Sequence, residues 1–474
     1  MKINVLDLLF LGIVFGFTFP ISQNTTNTQP PNIVLIVADD LGRNDLGCYG
    51  NRFIETPTLD RLAKEGVQFM NAYAAAPLCS PTRASLVTGN NPARINLTEH
   101  LHGYAPPSPK QKLIPPRIVS ALPPELVTLP EALKKANYKT GHFGKWHLGG
   151  GISSPAGQGF DMVYGGGVEG LPKTFFYPFF HGTPYPDLLA DTQAGDYLDD
   201  ALTHKAVQFI RQHQKERFFV ELHFYSPHVP IEGKAELVEK YHQKRQNTKH
   251  IGLPNDEYAA MVEGIDQNVA KVLACLHETG LAQNTLLVFV SDNGGLDVQE
   301  VPDFAKHTPP TTNAPLRGGK GSVYEGGIRI PCVVYAPHYS KIKGKTNALL
   351  STDDIFNTFM AVAGQAQTAP DGQSILPILL GNKQSPRHYF LHFPHYSPQR
   401  GQPAAVIRSG RYKLIEWFEG HTLELYDLQK DESESRNIAA QNPQIANKLL
   451  QRLHKWQQSM NAKMPEPNPN YRAE

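Results

Sequence analysis

Two apolar runs along the chain have the composition of buried β-strands, and both end abruptly in polar residues. The first, Asn32–Ala38, is rich in β-branched residues and is followed at once by Asp39 and Asp40. The second, residues 285–290, leads into the segment Ser-Asp-Asn-Gly-Gly. Continuous apolar runs of this length are typical of parallel strands that are covered on both faces. Ligands of open α/β sheets bind at the carboxyl ends of such strands, so the polar residues that follow both runs are candidate ligand-binding residues.

Helical periodicity fills much of the chain between and around these runs. Apolar residues recur with the spacing of one helix face over residues 57–66, 129–137, 197–214 and 257–279. Strands that alternate with helices from residue 32 to about residue 369 indicate the α/β class. We therefore predict one large α/β domain over residues 32–369, with a mixed, mostly parallel sheet flanked by helices.

The pattern changes after residue 369. Residues 405–417 and 423–428 have the pattern of short antiparallel strands joined by tight turns. Pro443 then opens a helix whose apolar residues share one face, namely Ile445, Leu449, Leu453, Trp456 and Met460. Residues 370–474 are therefore predicted to form a smaller C-terminal α+β subdomain, with an antiparallel sheet and a terminal helix.

The long apolar run at the very start of the chain has the features of an export signal. Lys2 precedes an apolar stretch over residues 8–17, and Thr18, Pro20 and Ser22 follow as helix breakers and small residues. A run of this length is short for a membrane span, and its flanks are those of a secretory signal peptide. We expect residues 1–22 to be a signal peptide, residues 23–31 a linker, and the mature protein to be exported without stable membrane insertion. An uncleaved N-terminal anchor is the alternative.

Composition narrows the possible partners. The chain of 474 residues carries 45 lysines and arginines against 44 acidic residues, a net charge of +1. This balance gives no support for nucleic-acid binding, which needs a basic surface. Any site for an anion must therefore rest on a local cluster of positive charge. The four cysteines are widely spaced, without the pairing expected of a zinc site or a disulfide framework.

One short segment combines a cysteine with a predicted helix start. In residues 79–89, Ser80 can cap a helix whose first residue is Pro81, which places Cys79 at the positive N-terminal end and Arg83 one turn inside. An anion at residue 79 would meet the helix dipole and a guanidinium together. The alternative interpretation is an ordinary capped helix with a buried cysteine.

This segment resembles the signature of the type I, formylglycine-dependent sulfatases, a family of the alkaline-phosphatase-like superfamily. The pattern Cys-x-Pro-x-Arg is followed by Leu-x-Thr-Gly, with Thr82 where the family often has serine. Both strand ends described above are similar to the family's metal-binding segments, and further similar segments follow in family order at residues 138–149, 226–230 and 318–327. The resemblance covers nearly the whole mature chain. It implies the sulfatase fold, cleavage of sulfate esters, and oxidation of Cys79 to formylglycine (3-oxoalanine) by a maturation enzyme.

The residues also suggest which metal the site would bind. Asp39, Asp40, Asp292 and Asn293 offer oxygen ligands without histidine or thiolate, a set that suits calcium better than zinc. The resemblance assigns these four residues to calcium and adds residue 79 to the shell. Taken alone, Asp39 and Asp40 could instead cap a helix after the strand.

The resemblance assigns roles to five further residues. Arg83, Lys145 and Lys320 would surround the sulfate with fixed positive charge. His147 would assist the release of sulfate from residue 79, and His228 with Lys320 would face the leaving-group oxygen as the acid. Considered one at a time, these lysines and histidines could equally be solvated or structural residues.

An exported enzyme of this size resembles bacterial sulfatases that act on sulfated polysaccharides, so the resemblance implies a sulfated polysaccharide or its oligosaccharides as the substrate, with a small aryl sulfate as an alternative artificial substrate. Four inserts are expected to shape the pocket, at residues 100–117, 171–187, 297–313 and 388–396. The phenylalanine cluster in the second insert is predicted to anchor its loop by burial. Two rival functions are a phosphatase or phosphodiesterase of the same superfamily, and a non-catalytic carbohydrate-binding relative in which Cys79 stays a thiol. The first would require aspartate and histidine clusters for two zinc ions, whereas Asn293 follows Asp292 here.

Overall fold

A computed structural model describes residues 30–101, 107–366 and 368–472. The predicted signal peptide and nearly all of the predicted linker lie outside the described residues. The strands are β1 Asn32–Ala38, β2 Val67–Tyr73, β3 Leu113–Ile114, β4 Lys139–Gly144, β5 Met162–Tyr164, β6 Phe218–His223, β7 Thr285–Ser291, β8 Arg329–Ile330, β9 Cys332–Tyr335, β10 Gly344–Ser351, β11 His388–Phe393, β12 Ala404–Ser409, β13 Tyr412–Trp417, β14 Thr422–Asp427 and β15 Glu466–Pro467. The helices are α1 Pro57–Glu65, α2 Cys79–Thr88, α3 Pro92–Ile95, α4 Leu129–Lys135, α5 Pro186–Ala190, α6 Leu198–Gln212, α7 Ala235–Thr248, α8 Asp256–Glu278, α9 Glu325–Ile328, α10 Asp354–Val362, α11 Leu376–Leu379 and α12 Pro443–Met460.

A nine-stranded sheet forms the centre of the molecule. Its strand order is β10-β2-β9-β7-β1-β6-β4-β5, with the short β8 paired to β2. β7, β1, β6, β4 and β5 are parallel neighbours, whereas β9 runs antiparallel to both β7 and β2. The prediction of a mixed, mostly parallel sheet is confirmed, and the four predicted helices correspond to α1, α4, α6 and α8.

β1 shows why the sequence of this sheet is continuously apolar. Val34 and Ile36 pack in a core cluster with α6, α7 and α8, while Ile33 and Leu35 pack in a second cluster with α2, α4 and α10. Because successive strand residues point to opposite faces, a strand covered by helices on both sides needs apolar residues at every position.

The second sheet is smaller and antiparallel, with the order β11-β12-β13-β14. In β12, Ala404 and Val406 pack against the main domain beside Tyr73, and Ala405 and Ile407 pack against α12. The predicted C-terminal architecture is confirmed, because α12 begins at Pro443 and lies over this sheet. No helix among the described residues is both long enough and apolar enough to cross a membrane.

Candidate active site

Strand register brings the predicted site residues to one edge of the main sheet. In the parallel β1 and β7 pair, Ala38 lies opposite Ser291, so the acidic residues that follow the two strands are adjacent. On the other side of β1, Val37 lies opposite His223 of β6, and His223 lies opposite Gly144 of β4. Lys145, the residue after Gly144, therefore enters the same edge. The carboxyl ends of four neighbouring strands, β7, β1, β6 and β4, thus form the floor of the site.

All ten predicted site residues are buried and lie in one cluster, in which opposite charges alternate. The Lys145 Nζ donates to Asp39 Oδ2 at 2.6 Å, and the Lys320 Nζ donates to Asp40 Oδ2 at 2.7 Å. The Arg83 Nη2 donates to Asp292 Oδ2 at 2.8 Å. Each carboxylate therefore has one cationic partner through its Oδ2 atom. Such pairing offsets the large cost of burying charge away from water.

The remaining oxygen atoms of the cluster form a set of candidate metal ligands. Asp39 Oδ1 and Asn293 Oδ1 are buried and accept no hydrogen bond from the described residues. Asp40 Oδ1 accepts from the Asn293 amide at 2.8 Å, and Asp292 Oδ1 accepts from the Asp40 backbone N–H at 3.2 Å. Buried acceptors without a donor are costly unless another group satisfies them. Carboxylate and amide oxygens are the ligands that a hard cation such as calcium prefers.

Cys79 is the first residue of α2, and its thiol faces a histidine. The Cys79 Sγ lies 3.4 Å from His147 Nδ1. Burial raises the pKa of the Cys79 thiol, and the positive charge of Lys145 opposes that rise. Burial together with the charge of Lys145 holds the pKa of His147 well below its usual value, so its ring is neutral. The prediction of a cysteine at the positive end of a helix, with Arg83 one turn inside, is confirmed.

The predicted helix cap, Ser80, is wrong by two residues. The Ser80 side chain is therefore free to hold His147 instead of capping the helix. Leu78 is the N-cap and makes no side-chain cap, so Ser80 is inside the first turn. The Ser80 hydroxyl instead donates to the His147 backbone oxygen at 2.9 Å and accepts from the Leu101 backbone N–H. The His147 N–H donates to Gly167 O at 2.9 Å. These bonds hold His147 beside Cys79 in a left-handed backbone conformation, with φ of 57°.

Lys320 and His228 form a hydrogen-bonded pair on the other side of the carboxylates. The Lys320 Nζ donates to His228 Nε2 at 2.8 Å, and His228 Nδ1 lies 2.9 Å from the carbonyl oxygen of Val229. The proton of the neutral ring is therefore on Nδ1. Burial and the charge of Lys320 lower the pKa of His228 to about 3, although Asp40 opposes the shift.

The carboxylates of the site differ in their electrostatics. Burial would raise the pKa of Asp40, but the charges of Lys320 and Lys145 hold it well below its usual value. The pKa of Asp292 is raised to about 7, because of burial and the neighbouring Asp39 carboxylate. A divalent cation among these oxygens would favour the charged form of every carboxylate that binds it.

Several residues that hold this site in place were not predicted. Asn313 closes the loop after β7 with hydrogen bonds to both the N–H and the carbonyl of Gly295. His223 lies 3.1 Å from the Arg83 Nη1, and the His147 ring packs so closely on Gly170 that a β-carbon there would lie 2.5 Å away. None of these residues carries a local signal, because each contacts the site across a large sequence separation.

The inserts that were expected to shape the pocket have different structures. Phe175, Phe179 and Phe180 are buried in the main core, which confirms that the phenylalanine cluster anchors its loop. The expectation of a loop over residues 388–396 is wrong over most of that range, because His388–Phe393 is strand β11 of the small sheet. Residues 102–106 of the first insert lie outside the described residues.

Comparisons with known proteins agree with this geometry. Residues 31–365 match the sulfatase family model, and residues 319–459 match a model of the C-terminal region of N-sulphoglucosamine sulphohydrolase. An N-acetylgalactosamine-6-O-sulfatase of Bacteroides thetaiotaomicron is 31% identical over 91% of this chain and 94% of its own. The human N-acetylgalactosamine-6-sulfatase is 32% identical over 82% of this chain and 72% of its own.

A solved structure supports the same assignment of fold. Ps i-CgsB in complex with k-i-k-neocarrahexaose superposes with a TM-score of 0.74 at 28% identity, covering 90% of this chain and 93% of that one. The family match spans the strand ends, α2 and the loop of Lys320, which are the parts that build the cluster described above. The chain therefore belongs to the sulfatase family and is a sulfuric ester hydrolase.

Proposed function

We propose that this enzyme removes sulfate from carbohydrates, using a formylglycine at position 79 and a calcium ion. The observation that carries the proposal is the position of Cys79, which lies at the start of α2 against His147, within a cluster that combines three cations with four oxygen-bearing ligands. A sulfate ester is a stable anion, so its cleavage needs a nucleophile, positive charge on the non-bridging oxygens and a proton for the leaving oxygen.

Asp39, Asp40, Asp292 and Asn293 would hold the calcium ion, together with an oxygen of the modified residue 79. Two observations support this fit: Asp39 Oδ1 and Asn293 Oδ1 are buried oxygens without a hydrogen-bond donor, and Asp39 and Asp40 lie close enough together to share one ion, in a group that also includes His228. Calcium binds six to eight oxygens, so all four residues and further oxygens can contribute. When bound, the ion would supply Lewis-acid stabilisation of negative charge at the sulfate and at residue 79.

The chemistry of position 79 depends on oxidation of the cysteine by a maturation enzyme. A formylglycine there would supply a hydrated aldehyde, whose hydroxyl would act as the nucleophile towards the sulfur atom of the ester. The unmodified thiol is a poorer nucleophile here, because burial raises its pKa and keeps it protonated. His147 Nδ1 is the ring nitrogen nearest residue 79, so we assign to it the uptake of a proton at that position. Arg83 would orient residue 79 from one turn further along α2.

The cations and His228 would bind the sulfate and protonate the leaving group. Lys145 and Lys320 are fixed by carboxylates and would donate to sulfate oxygens without a reorganisation of their side chains. The Lys320 Nζ proton is shared with His228 Nε2, so a proton can pass along this pair to the leaving oxygen. The Asp40 carboxylate also accepts a hydrogen bond from the Lys320 Nζ, so its negative charge holds the ammonium group beside His228.

The carbohydrate substrate is inferred from relatives that are named for it. The two relatives described above are named as sulfatases of N-acetylgalactosamine, and the solved neighbour is in complex with k-i-k-neocarrahexaose. We extend the proposal to the organisation of the chain: an export signal over residues 1–22, a linker over 23–31, a catalytic domain over 32–369 and a C-terminal subdomain over 370–474. Secretion or periplasmic export would place the enzyme with sulfated polysaccharides.

Mass analysis of residue 79 together with sulfate release tests the proposal. Protein from a host with a maturation enzyme should give a peptide in which the Cys79 thiol has been replaced by an aldehyde. This protein should release sulfate from sulfated oligosaccharides, and Cys79→Ala should release none while it stays folded. Cys275→Ala serves as the matched control, because Cys275 is a buried thiol of α8 outside the site. An active enzyme whose residue 79 is still a thiol would refute the mechanism.

A further inference from the structure

Three buried ionisable residues lie directly behind the catalytic cluster, and the proposed mechanism uses none of them. They are His142 of β4 and Glu221 and His223 of β6, which are 0%, 0% and 2% exposed. His142 Nδ1 lies 2.7 Å from Glu221 Oε2, and His223 Nε2 lies 3.5 Å from Glu221 Oε1. His223 Nδ1 in turn lies 3.1 Å from the Arg83 Nη1. These contacts link Glu221 to the guanidinium of Arg83 through a single imidazole ring.

The hydrogen bonds of Arg83 are almost fully accounted for. A guanidinium carries five N–H donors and no acceptor. The Nε and Nη2 groups both donate to Asp292 Oδ2, and the Nη1 group donates to the Lys145 carbonyl oxygen at 3.1 Å. The second Nη1 hydrogen requires an acceptor, which only His223 Nδ1 provides among the hydrogen bonds of the described residues. One Nη2 hydrogen is then left for Asp39 or for a reacting group.

His223 can meet this need in only one of its neutral forms. Burial, together with the charge of Arg83, holds the pKa of His223 well below its usual value, so the ring carries one proton. With the proton on Nε2, Nδ1 accepts from Arg83. With the proton on Nδ1, the ring would instead donate to the Lys145 carbonyl oxygen, also 3.1 Å away, and would turn an N–H towards Arg83.

Glu221 decides between these two forms. His223 Nε2 and Glu221 Oε1 are both buried and have no hydrogen-bond partner in the described part of the chain. A lone pair on Nε2 would face the carboxylate and be repelled, whereas a proton on Nε2 is attracted. His142 fixes the carboxylate in turn, since its Nδ1 faces Glu221 Oε2 and its Nε2 faces the Gly144 carbonyl oxygen at 3.0 Å.

We propose that Glu221 is a positioning residue that, by holding the His223 proton on Nε2, orients Arg83 against residue 79 and the sulfate. The proposal rests on the function proposed above only for its kinetic consequence. His142 locks the Glu221 carboxylate, and none of the three residues touches the substrate. Outer hydrogen bonds of this kind commonly change activity by about 10-fold to 100-fold.

Glu221→Gln is the informative variant, because it keeps the volume of the side chain and reverses its effect on the ring. The His142 N–H bonds the amide oxygen, so the amide NH₂ turns towards His223 Nε2 and moves the histidine proton to Nδ1. We expect kcat to fall at least about 10-fold with little change in KM, since Arg83 is misdirected rather than lost. Asp266→Asn is the matched control, a buried carboxylate of α8 outside the site, and it should keep the parent kcat.

The tautomer itself can be observed without substrate. In long-range ¹H–¹⁵N correlation spectra of protein labelled with ¹⁵N-histidine, the His223 signals are assigned by their loss in His223→Asn. The parent protein should show Nε2 protonated, and Glu221→Gln should show Nδ1 protonated. If Glu221 had only a structural role, Glu221→Gln would lower the stability of the protein without moving the His223 proton from Nε2 to Nδ1. The same tautomer in both proteins, or an unchanged kcat in Glu221→Gln, would overturn the proposal.

A metal ion is the main rival occupant of this cluster, because its three residues could each offer one ligand atom. Elemental analysis distinguishes the two ideas: a second bound metal that disappears in Glu221→Gln would overturn the tautomer proposal. The result is also separable from the proposed function. A parent protein that shows the Nε2 tautomer but neither modified residue 79 nor released sulfate would refute the function alone.

Discussion

At the scale of single residues, the site depends on backbone conformations that a sequence pattern does not reveal. Asp40 and His147 both have positive φ angles, 63° and 57°. Residues other than glycine adopt this conformation at a cost and keep it where the surroundings require it. For His147, the hydrogen bonds of its backbone with Ser80 and Gly167 impose this conformation.

Gly170→Ala should impair catalysis without unfolding the protein. A β-carbon at residue 170 would lie 2.5 Å from His147 Cε1, so the ring must move away from residue 79. A displacement of about 1 Å can cost on the order of 100-fold in rate. We therefore expect kcat to fall by about 10-fold to 100-fold, measured as sulfate release at saturating substrate.

The control for this substitution is Gly264→Ala. Gly264 lies in α8, where an added β-carbon would meet only Lys234 Cε at 3.8 Å. Alanine is favoured over glycine in a helix by about 1 kcal/mol, so this variant should be as stable as the parent or more so, with the same kcat. Equal activity of both variants would show that the position of the His147 ring is not critical.

The sequence predicted the residues of the site itself better than the residues that hold them in position. The ten predicted residues come from motifs that are each local in sequence, and the structure brings all ten together. Glu221, His223 and Gly170 escaped prediction because their importance arises only from contacts with residues far along the chain. A buried histidine in a strand gives no local sign of what it faces.

At the scale of elements, parallel register is what joins the motifs. The β1 and β7 apolar runs predicted two strands but not that they are neighbours, which depends on the pairing of Ala38 with Ser291. Likewise, residues 388–393 were assigned to a pocket insert, because their pairing with β12 at the edge of the small sheet is a tertiary contact that the local sequence does not show. Periodicity predicts elements, whereas long-range pairing decides which of their ends meet.

The start of α1 should make the stability of the protein depend on pH. Asp266 accepts hydrogen bonds from the Thr58 and Leu59 backbone N–H groups, and burial raises its pKa to about 6. An unfolded aspartate has a pKa of about 3.9. The folded state therefore binds the proton more tightly, and stability from this group is full below about pH 4 and is lost as the pH rises to about 6.

Asp266→Asn removes this titration and is its test. Between pH 4 and pH 6 the parent should lose about 2 kcal/mol of unfolding free energy that the variant does not lose, out of about 3 kcal/mol over the whole titration. Urea denaturation of both proteins at several pH values measures the difference. Because all other groups titrate equally in the two proteins, parallel pH profiles would mean that the Asp266 pKa is not raised.

The small sheet is held to the main domain by a buried ion cluster. Lys413 of β13 lies 3.1 Å from Glu325 of α9 and 2.7 Å from Glu434, and all three side chains are fully buried. Lys413→Met would leave Glu434 without its cation and Glu325 with only Arg329, at 3.7 Å, and breaking a buried ion pair in this way costs about 3–5 kcal/mol. Denaturant unfolding should show this loss.

An exposed ion pair provides the comparison for Lys413. Arg211 and Glu278 also form an ion pair, at 2.6 Å, but both side chains are more than half exposed. Arg211→Met should leave the free energy of unfolding almost unchanged, because water screens such pairs. If the two substitutions had equal effects, burial would not be the reason for the importance of Lys413.

At the scale of the whole molecule, a net charge of +1 conceals a strongly charged interior. The cations and carboxylates of the site are not two separate groups, since each of Asp39, Asp40 and Asp292 pairs with at least one lysine or arginine. The net charge of the chain argued against binding of nucleic acid, but a net charge cannot show how individual cations and carboxylates are paired. A site of this kind attracts one anion of matching shape rather than anionic surfaces.

Removal of calcium should lower the stability of the entire fold. The proposed ligands come from the ends of β1 and β7, so an ion that binds them stabilises the folded state by RT ln(1 + [Ca²⁺]/Kd), about 4 kcal/mol at a thousandfold excess over Kd. Because each carboxylate also has a cationic partner within the chain, the chelated protein should remain folded but unfold at a lower temperature. Asp292→Asn should abolish the difference between calcium and chelator, while Asp199→Asn, another buried carboxylate, should preserve it. A parent midpoint that is the same in calcium and in chelator would exclude calcium from this site.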